Sequence, residues 1–257
     1  MLDVAIRAAK EAGKILINYY GKVKTEYKNE YFDARSIVTQ ADLESEKKIV
    51  EILKESFPKH NIFSEELIRE NNGSEYTWYI DPLDGTSNFT RNIPLFGISI
   101  GLIKNNQSVL GVLYFPALNL LLNAEKNKGA FANNKKIKVS DRELKKSLYY
   151  SGGYFKGKFG LEKSISDKVG VVKVIDASSY EFAQIAMGDA EIYYLTNVPH
   201  DVVAGVCIVR EAGGKVSDGA GKSWSTNSKE ILVTNGKVHK EVLGLLKHGW
   251  DKASNNL

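Results

Sequence analysis

Apolar residues recur with a helical spacing near the start of the chain. Between residues 3 and 20 they fall three or four positions apart, and charged residues occupy the positions between them. This spacing predicts an amphipathic helix, which Gly21 ends. The same spacing returns over 41–57 and predicts a second helix, with Pro58 as its stop.

The middle of the chain changes to short apolar runs separated by turn residues, a pattern typical of β-strands. The strands predicted there are 61–63, 77–80, 96–103, 109–115, 120–124 and 129–131. In the second half, strands alternate with helices. The strands predicted there are 148–151, 171–175, 191–195, 215–217 and 230–234. The helices predicted there are 158–168, 179–187, 201–212 and 237–247.

Composition and charge narrow the class of protein. Of 257 residues, 43% are hydrophobic and 26% are charged, which is typical of a folded globular chain and not of a disordered one. A net charge of +4 gives no support for a nucleic-acid partner, because such binding needs a concentrated basic face. The single cysteine, Cys207, excludes an intramolecular disulfide, and no apolar run is long enough to span a membrane. We therefore expect a cytoplasmic protein without a membrane partner.

The segment 78–89 carries the strongest chemical signal. Its sequence is W-Y-I-D-P-L-D-G-T-S-N-F, an apolar strand that leads into Asp81 and Asp84. Two carboxylates at a strand end can hold divalent cations. Gly85 permits close backbone approach, and the amides of a following helix can hold an anion. The Asp-Pro-Leu-Asp-Gly fragment is also a common turn. On its own, the fragment therefore supports a binding site and a plain turn equally.

Two further segments place acids at element ends. Ile62-Phe63-Ser64 runs into Glu65 and Glu66, and Pro199-His200 runs into Asp201 before a helix. Taken separately, the first is typical of a solvated strand end and the second of a helix N-cap.

Together these segments resemble the inositol monophosphatase family of magnesium-dependent, lithium-sensitive phosphatases. The family pattern has two acids after a strand, then W-x-[IV]-D-P-[IL]-D-G-T-x-N-F, then W-D-x-A-A-G followed by E-A-G-G. The chain carries these motifs in the same order, and the V-T-x-x-D motif of the family is matched by 38–42. The resemblance covers nearly the whole chain.

The resemblance implies an α/β (α+β) fold, a layered α-β-α-β-α sandwich of the sugar phosphatase type with a large antiparallel sheet and a smaller mixed sheet. It implies a single phosphatase unit over 1–257, in which halves of about 1–140 and 141–257 share one active site. It also implies a homodimer.

The resemblance assigns a role to each matched position. The implied ligands of two or three Mg²⁺ ions are Glu65, Asp81, the Leu83 carbonyl oxygen, Asp84 and Asp201. The implied substrate- and phosphate-binding residues are Asp84, Gly85, Thr86 and Asp201. The implied catalytic residues, which orient the attacking water, are Glu65, Thr86 and Asp42.

The expected reaction is hydrolysis of a small sugar or polyol phosphate by a metal-activated water. Oxygen-rich clusters suit Mg²⁺, and cations neutralise the charge that makes a phosphate dianion resist attack. Inositol 1-phosphate is the leading substrate, and fructose 1,6-bisphosphate is a second candidate.

Two positions depart from the family pattern. The usual tryptophan before the last aspartate is His200 here, which we interpret as a packing residue rather than a substrate contact. Leu195 stands near the position where animal members of the family have a glutamate that binds an inositol hydroxyl. The residues on the alcohol-recognising side of the site therefore do not identify the substrate.

Two alternatives to this function remain open. A 3′(2′),5′-bisphosphate nucleotidase would use the same chemistry, but such relatives usually carry Lys-Glu-Phe where this chain has Ser87-Asn88-Phe89. A binding or regulatory protein that keeps the phosphatase fold is the second alternative.

Overall fold

The computed structural model describes residues 1–22, 26–27, 37–66, 68–152, 159–196 and 202–254. Helices and strands alternate along these ranges. The helices are α1 Leu2–Tyr19, α2 Gln40–Ser56, α3 Thr86–Thr90, α4 Phe159–Ser166, α5 Ser178–Met187, α6 Val203–Glu211 and α7 His239–Ser254. The strands of the first half are β1 Glu26–Tyr27, β2 Ile37–Val38, β3 Asn61–Ser64, β4 Arg69–Glu70, β5 Tyr76–Asp84, β6 Gly97–Lys104, β7 Gln107–Phe115, β8 Leu120–Glu125, β9 Gly129–Ala132 and β10 Lys135–Ile137. Those of the second half are β11 Leu148–Ser151, β12 Val171–Lys173, β13 Ile192–Thr196, β14 Lys215–Ser217 and β15 Glu230–Thr234.

Most predicted elements are confirmed to within a few residues, and two differ. Strand β5 was predicted to end at Ile80 but continues to Asp84, and helix α7 runs to Ser254 instead of ending near 247. The extension of β5 changes the site, because the two aspartates belong to the strand rather than to a turn after it.

The larger sheet has eight strands in the order β10-β9-β8-β7-β6-β5-β3-β4. Its neighbours pair antiparallel except β3 and β5, which run parallel with Ser64 opposite Ile80. The predicted antiparallel sheet therefore contains one parallel pair. Since parallel strands end at the same edge, this pair brings the residues after β3 beside the end of β5.

The smaller sheet has five strands in the order β12-β11-β13-β15-β14. Strand β11 runs parallel to both β12 and β13, whereas β15 pairs antiparallel with β13 and β14. The predicted smaller mixed sheet is confirmed.

Helices and sheets alternate as five layers. Helices α1 and α2 pack on one face of the larger sheet, and α5 and α6 lie between the two sheets. Helices α4 and α7 cover the outer face of the smaller sheet, around a buried cluster that includes Tyr149 and Leu246. The predicted α-β-α-β-α sandwich is confirmed. Across the described ranges, no helix combines the length and the apolar character needed to cross a membrane.

Candidate active site

The end of strand β5 forms the floor of the site. Asp81 pairs with Ser99 and Asp84 with Gly97 on β6, and the register shifts between them. This irregularity accommodates Pro82, which has no N–H to give to a sheet ladder. Asp81 is 2% exposed and Asp84 is 9% exposed, so both carboxylates enter the site from a buried strand.

Gly85 turns the chain from the strand into helix α3. Its φ is +81°, a left-handed conformation that glycine adopts without the steric penalty of a side chain. A Cβ added here would lie 2.8 Å from the Leu95 carbonyl oxygen. The next residue, Thr86, donates its hydroxyl to the Leu83 carbonyl oxygen at 2.9 Å. The turn therefore holds the first residue of α3 directly over the end of β5.

Asp42 reaches the site from the first turn of helix α2. Its Oδ2 accepts hydrogen bonds from the Thr39 backbone N–H at 2.9 Å and the Thr39 hydroxyl at 2.6 Å, a capping box that fixes the helix start. Its Oδ1 lies 3.5 Å from the Thr86 hydroxyl oxygen. Burial, opposed by the Thr39 hydrogen bonds and reinforced by Glu66 and Glu65, raises the pKa of Asp42 to about 7.

Glu65 comes from the end of strand β3. Its backbone N–H donates to the Ile80 carbonyl oxygen at 3.1 Å, which continues the parallel pairing of β3 and β5, and its side chain is exposed. The charge of Glu65 helps to raise the pKa values of both Asp42 and Asp84. Glu65 therefore acts electrostatically on two acids that come from two other segments.

Asp84 is held by the start of helix α5. Ser178 N–H donates to its Oδ1 at 3.1 Å, and Ser179 N–H donates to its Oδ2 at 2.7 Å. The Ser179 hydroxyl also donates to Oδ2. Burial raises the pKa of Asp84 to about 6, although the Ser179 bonds oppose the shift. We call this arrangement of Ser178 and Ser179 on Asp84 the α5 clamp.

The α5 clamp was missed by sequence reasoning, and so was Glu181 behind it. Glu181 is 1% exposed, and its Oε1 has no hydrogen-bond partner among the described residues. Burial, with the charge of Asp84, raises the pKa of Glu181 well above its usual range. The only local signal was the acid in the first turn of a predicted helix, and that pattern is common.

The alcohol-recognising side is described only in part. Asp201 and His200 lie outside the described residues. Leu195 is 7% exposed and belongs to the hydrophobic core between the sheets, so it is a packing residue at that position. The sequence alone showed only that Leu195 stands near the position of the family glutamate.

The donor set suits a hard divalent cation. Within the parts of the chain that the structure describes, no three His, Cys, Asp or Glu side chains are close enough to hold a metal ion as they stand. The available donors are nevertheless all oxygens, and the buried carboxylates of Asp42 and Asp84, whose pKa values are raised by burial and by the charge of Glu65, would gain from a neutralising cation. A small cavity lies against Asp81 and Asp84 and is also lined by Val202, the residue after Asp201.

Comparison with known proteins gives a consistent result. The model of the inositol monophosphatase family matches residues 1–250. A fructose-1,6-bisphosphatase/inositol-1-monophosphatase of Thermotoga maritima is 35% identical over 94% of each chain. A Nus factor SuhB of Pasteurella multocida is 30% identical over 96% of each chain. The solved structure of a Thermotoga maritima IMPase has a TM-score of 0.90 and 32% identity over 98% of each chain.

The match to the family model spans nearly the whole chain, and the relatives and the solved structure agree with it in both sequence and fold. The chain therefore belongs to the inositol monophosphatase family and is a phosphatase of the phosphate monoester hydrolase class.

Proposed function

We propose that the chain hydrolyses small sugar or polyol phosphates with Mg²⁺, and that inositol 1-phosphate is its leading substrate. The observation that carries this proposal is the convergence of Asp42, Glu65 and Asp84 at the start of α3. Asp42 belongs to α2, Asp84 ends β5 and Glu65 follows β3, and the charge of Glu65 helps to raise the pKa values of both Asp42 and Asp84. Asp42 and Asp84 are buried, and charged carboxylates in such positions are costly unless cations neutralise them.

The residues that would hold two or three Mg²⁺ ions are Glu65, Asp81, the Leu83 carbonyl oxygen, Asp84 and Asp201. When bound, the ions would supply an activated water and neutralise charge on the phosphate and the leaving oxygen. The chain contributes the positions of these oxygens. Strand β5 fixes Asp81 and Leu83, and the α5 clamp fixes Asp84.

The remaining residues orient the reactants. The backbone amides of Gly85 and Thr86 would receive the phosphate at the start of α3. The Thr86 hydroxyl, between the Leu83 carbonyl oxygen and Asp42, would hold the attacking water together with Asp42 and Glu65. Hydrolysis would then proceed by in-line displacement, with most of the acceleration from positioning and charge neutralisation.

The relatives support the choice of substrates to test. The Thermotoga maritima relative is named for both fructose 1,6-bisphosphate and inositol 1-phosphate, and a Dictyostelium discoideum relative is named inositol monophosphatase. The Pasteurella multocida relative is named as a Nus factor, which supports a regulatory role as the second candidate. A 3′(2′),5′-bisphosphate nucleotidase stays the rival within the same chemistry.

The test is phosphate release from inositol 1-phosphate, fructose 1,6-bisphosphate and adenosine 3′,5′-bisphosphate, with and without Mg²⁺. We expect Mg²⁺-dependent release that is strongest for inositol 1-phosphate and is inhibited by millimolar lithium. Asp84→Asn should lower kcat by at least about 100-fold, because it removes a proposed metal ligand. Asp141→Asn, which changes an exposed aspartate far from the site, is the matched control.

A second readout separates binding from turnover. Mg²⁺ should raise the thermal midpoint of the native chain, since a ligand that binds only the folded state stabilises it, and Asp84→Asn should reduce that rise. Phosphate release by Asp84→Asn at the native rate would contradict the proposed site. No release from any ester, with a cellular function that persists in Asp84→Asn, would favour the regulatory role.

We also propose that residues 1–257 form one catalytic unit, because the clamp on Asp84 comes from the 141–257 half. A homodimer is proposed from the family resemblance, and light scattering of the purified chain would measure it. The cytoplasmic location stays a prediction.

A further inference from the structure

Asp176 lies just before helix α5 and contacts helix α3. Its side chain is exposed, and its Oδ2 accepts a hydrogen bond from the Ser87 hydroxyl at 2.6 Å. The neighbouring Ile175 carbonyl oxygen accepts a hydrogen bond from the Asn88 side chain at 2.9 Å. Two residues further on, Ser178 begins the α5 clamp on Asp84. One short segment therefore connects α3 to the carboxylate at the end of β5.

The backbone at Asp176 is held in a left-handed conformation. Its φ is +62°, where a side chain costs free energy that glycine avoids. Strained residues of this kind often lie at functional sites. The hydrogen bond from Asn88 goes to the Ile175 carbonyl oxygen and does not use the Asp176 side chain. The Asp176 carboxylate contacts α3 through the Ser87 hydroxyl.

The charge of Asp176 acts on the acids of the site. Among the described residues, no lysine or arginine forms an ion pair with it. The Arg91 guanidinium binds the Ser87 carbonyl oxygen instead, at 2.9 Å. Asp176 contributes to the raised pKa values of Asp84 and Glu181, which is consistent with a short distance from the metal-binding end of β5.

We infer that Asp176 selects the alcohol part of the substrate: its carboxylate accepts hydrogen bonds from the hydroxyls of a neutral polyol and repels a second phosphate. This inference rests on the proposed function, which places the reacting phosphate at Gly85 and Thr86. The inference requires the substituents of the ester to extend past Ser87 toward Asp176, whose carboxylate accepts from the Ser87 hydroxyl. A substrate with hydroxyls there gains an acceptor, whereas a bisphosphate brings a dianion toward a fixed negative charge.

The expected discrimination is modest and electrostatic. A unit charge and a dianion separated by roughly 8 Å in a water-like dielectric change the binding constant by about fivefold. Salt should reduce this factor, because exposed charges are screened beyond roughly 10 Å at 0.1 M ionic strength.

The test compares fructose 1-phosphate with fructose 1,6-bisphosphate, which share the sugar and differ by one phosphate. Asp176→Asn keeps the shape and tolerates a left-handed backbone, so it removes the charge alone. We expect it to raise kcat/KM for the bisphosphate about fivefold relative to the monophosphate, with a smaller change in 0.5 M salt. Asp189→Asn removes an exposed aspartate beyond the other end of α5 and should leave the ratio unchanged.

The outcomes separate this inference from the proposed function. If Asp176→Asn changes both substrates equally, or if the ratio is insensitive to salt, the substrate does not sense the charge of Asp176 and the inference is wrong. If the native chain releases phosphate from neither fructose ester nor from inositol 1-phosphate, the proposed function is wrong. That result is obtained with the native protein and does not depend on the Asp176 variant.

Discussion

Gly85 joins strand β5, the proposed metal-binding strand, to helix α3, the proposed phosphate-binding helix. Its substitution by alanine tests whether the close packing around Gly85 fixes that junction. An added Cβ would meet the Leu95 carbonyl oxygen at 2.8 Å and the Ala177 Cβ at 3.1 Å. The first contact is with backbone, so relief requires the chain itself to move. Gly73 provides a matched control, since its φ is +70° and nothing lies within 4 Å of an added Cβ.

The two substitutions separate backbone strain from crowding. An alanine at positive φ costs about 1–2 kcal/mol, and loss of glycine freedom in the unfolded chain returns about 0.4–1 kcal/mol. Gly73→Ala should therefore destabilise by roughly 0–1.6 kcal/mol. Gly85→Ala has the same two contributions to the free energy of unfolding, and in addition an overpacking cost of about 1–3 kcal/mol.

The assay is urea unfolding of the native chain and both variants, followed by circular dichroism, with thermal midpoints as a second measurement. We expect Gly85→Ala to unfold at lower urea than Gly73→Ala, and its thermal midpoint to be lower by several degrees, at about 2–4 °C per kcal/mol. Equal destabilisation by the two variants would refute the reasoning, because it would mean that the contact with Leu95 is relieved without cost.

Two further predictions concern groups that the site or the core holds in place. Ser179→Ala removes the hydroxyl donor to Asp84 and should lower kcat/KM about tenfold, since hydrogen bonds to charged groups contribute about 1.5–3 kcal/mol. Ser178→Ala is the control, because Ser178 reaches Asp84 through its backbone N–H, and an equal loss in both variants would contradict the assignment. Burial lowers the pKa of His239 to about 4 in the folded chain. Between about pH 6.5 and 4 the unfolded chain therefore binds more protons than the folded chain. The contribution of His239 to the free energy of unfolding is complete above about pH 6.5 and falls as the pH falls toward 4. The raised pKa values of Asp42 and Asp84 make stability fall as the pH rises, which is the opposite direction. The free energy of unfolding of the native chain is therefore compared with that of His239→Gln at each pH. Identical pH profiles of the two proteins would show that His239 contributes nothing.

The sequence predicted the elements well where one local pattern decided them. Helix α1 and strands β14 and β15 follow the predicted bounds closely, because periodicity and glycine or proline signals act over a few residues. Strand β5 was predicted too short. Its last residues pair with β6, and that pairing overrides the local turn tendency of Asp-Pro-Leu-Asp-Gly.

The site also has residues that the sequence predicts and residues that it does not. Asp42, Glu65, Asp81 and Asp84 were selected from motifs that match the family, and the described structure brings their segments together at the end of β5. The α5 clamp could not be predicted, because a serine at a helix start gives no indication of which distant carboxylate its N–H will bind. Asp176 was missed for a related reason, since its left-handed backbone depends on contacts with α3.

The α5 clamp has a consequence for synthesis of the chain. Ser179 follows Asp84 by 95 residues, so β5 and α3 leave the ribosome long before their partner has been translated. A nascent chain that stops before Ser178 contains the whole D-P-L-D-G-T motif but none of the donors that fix Asp84. The order of translation therefore keeps the proposed site at the end of β5 incomplete until most of the protein has been made.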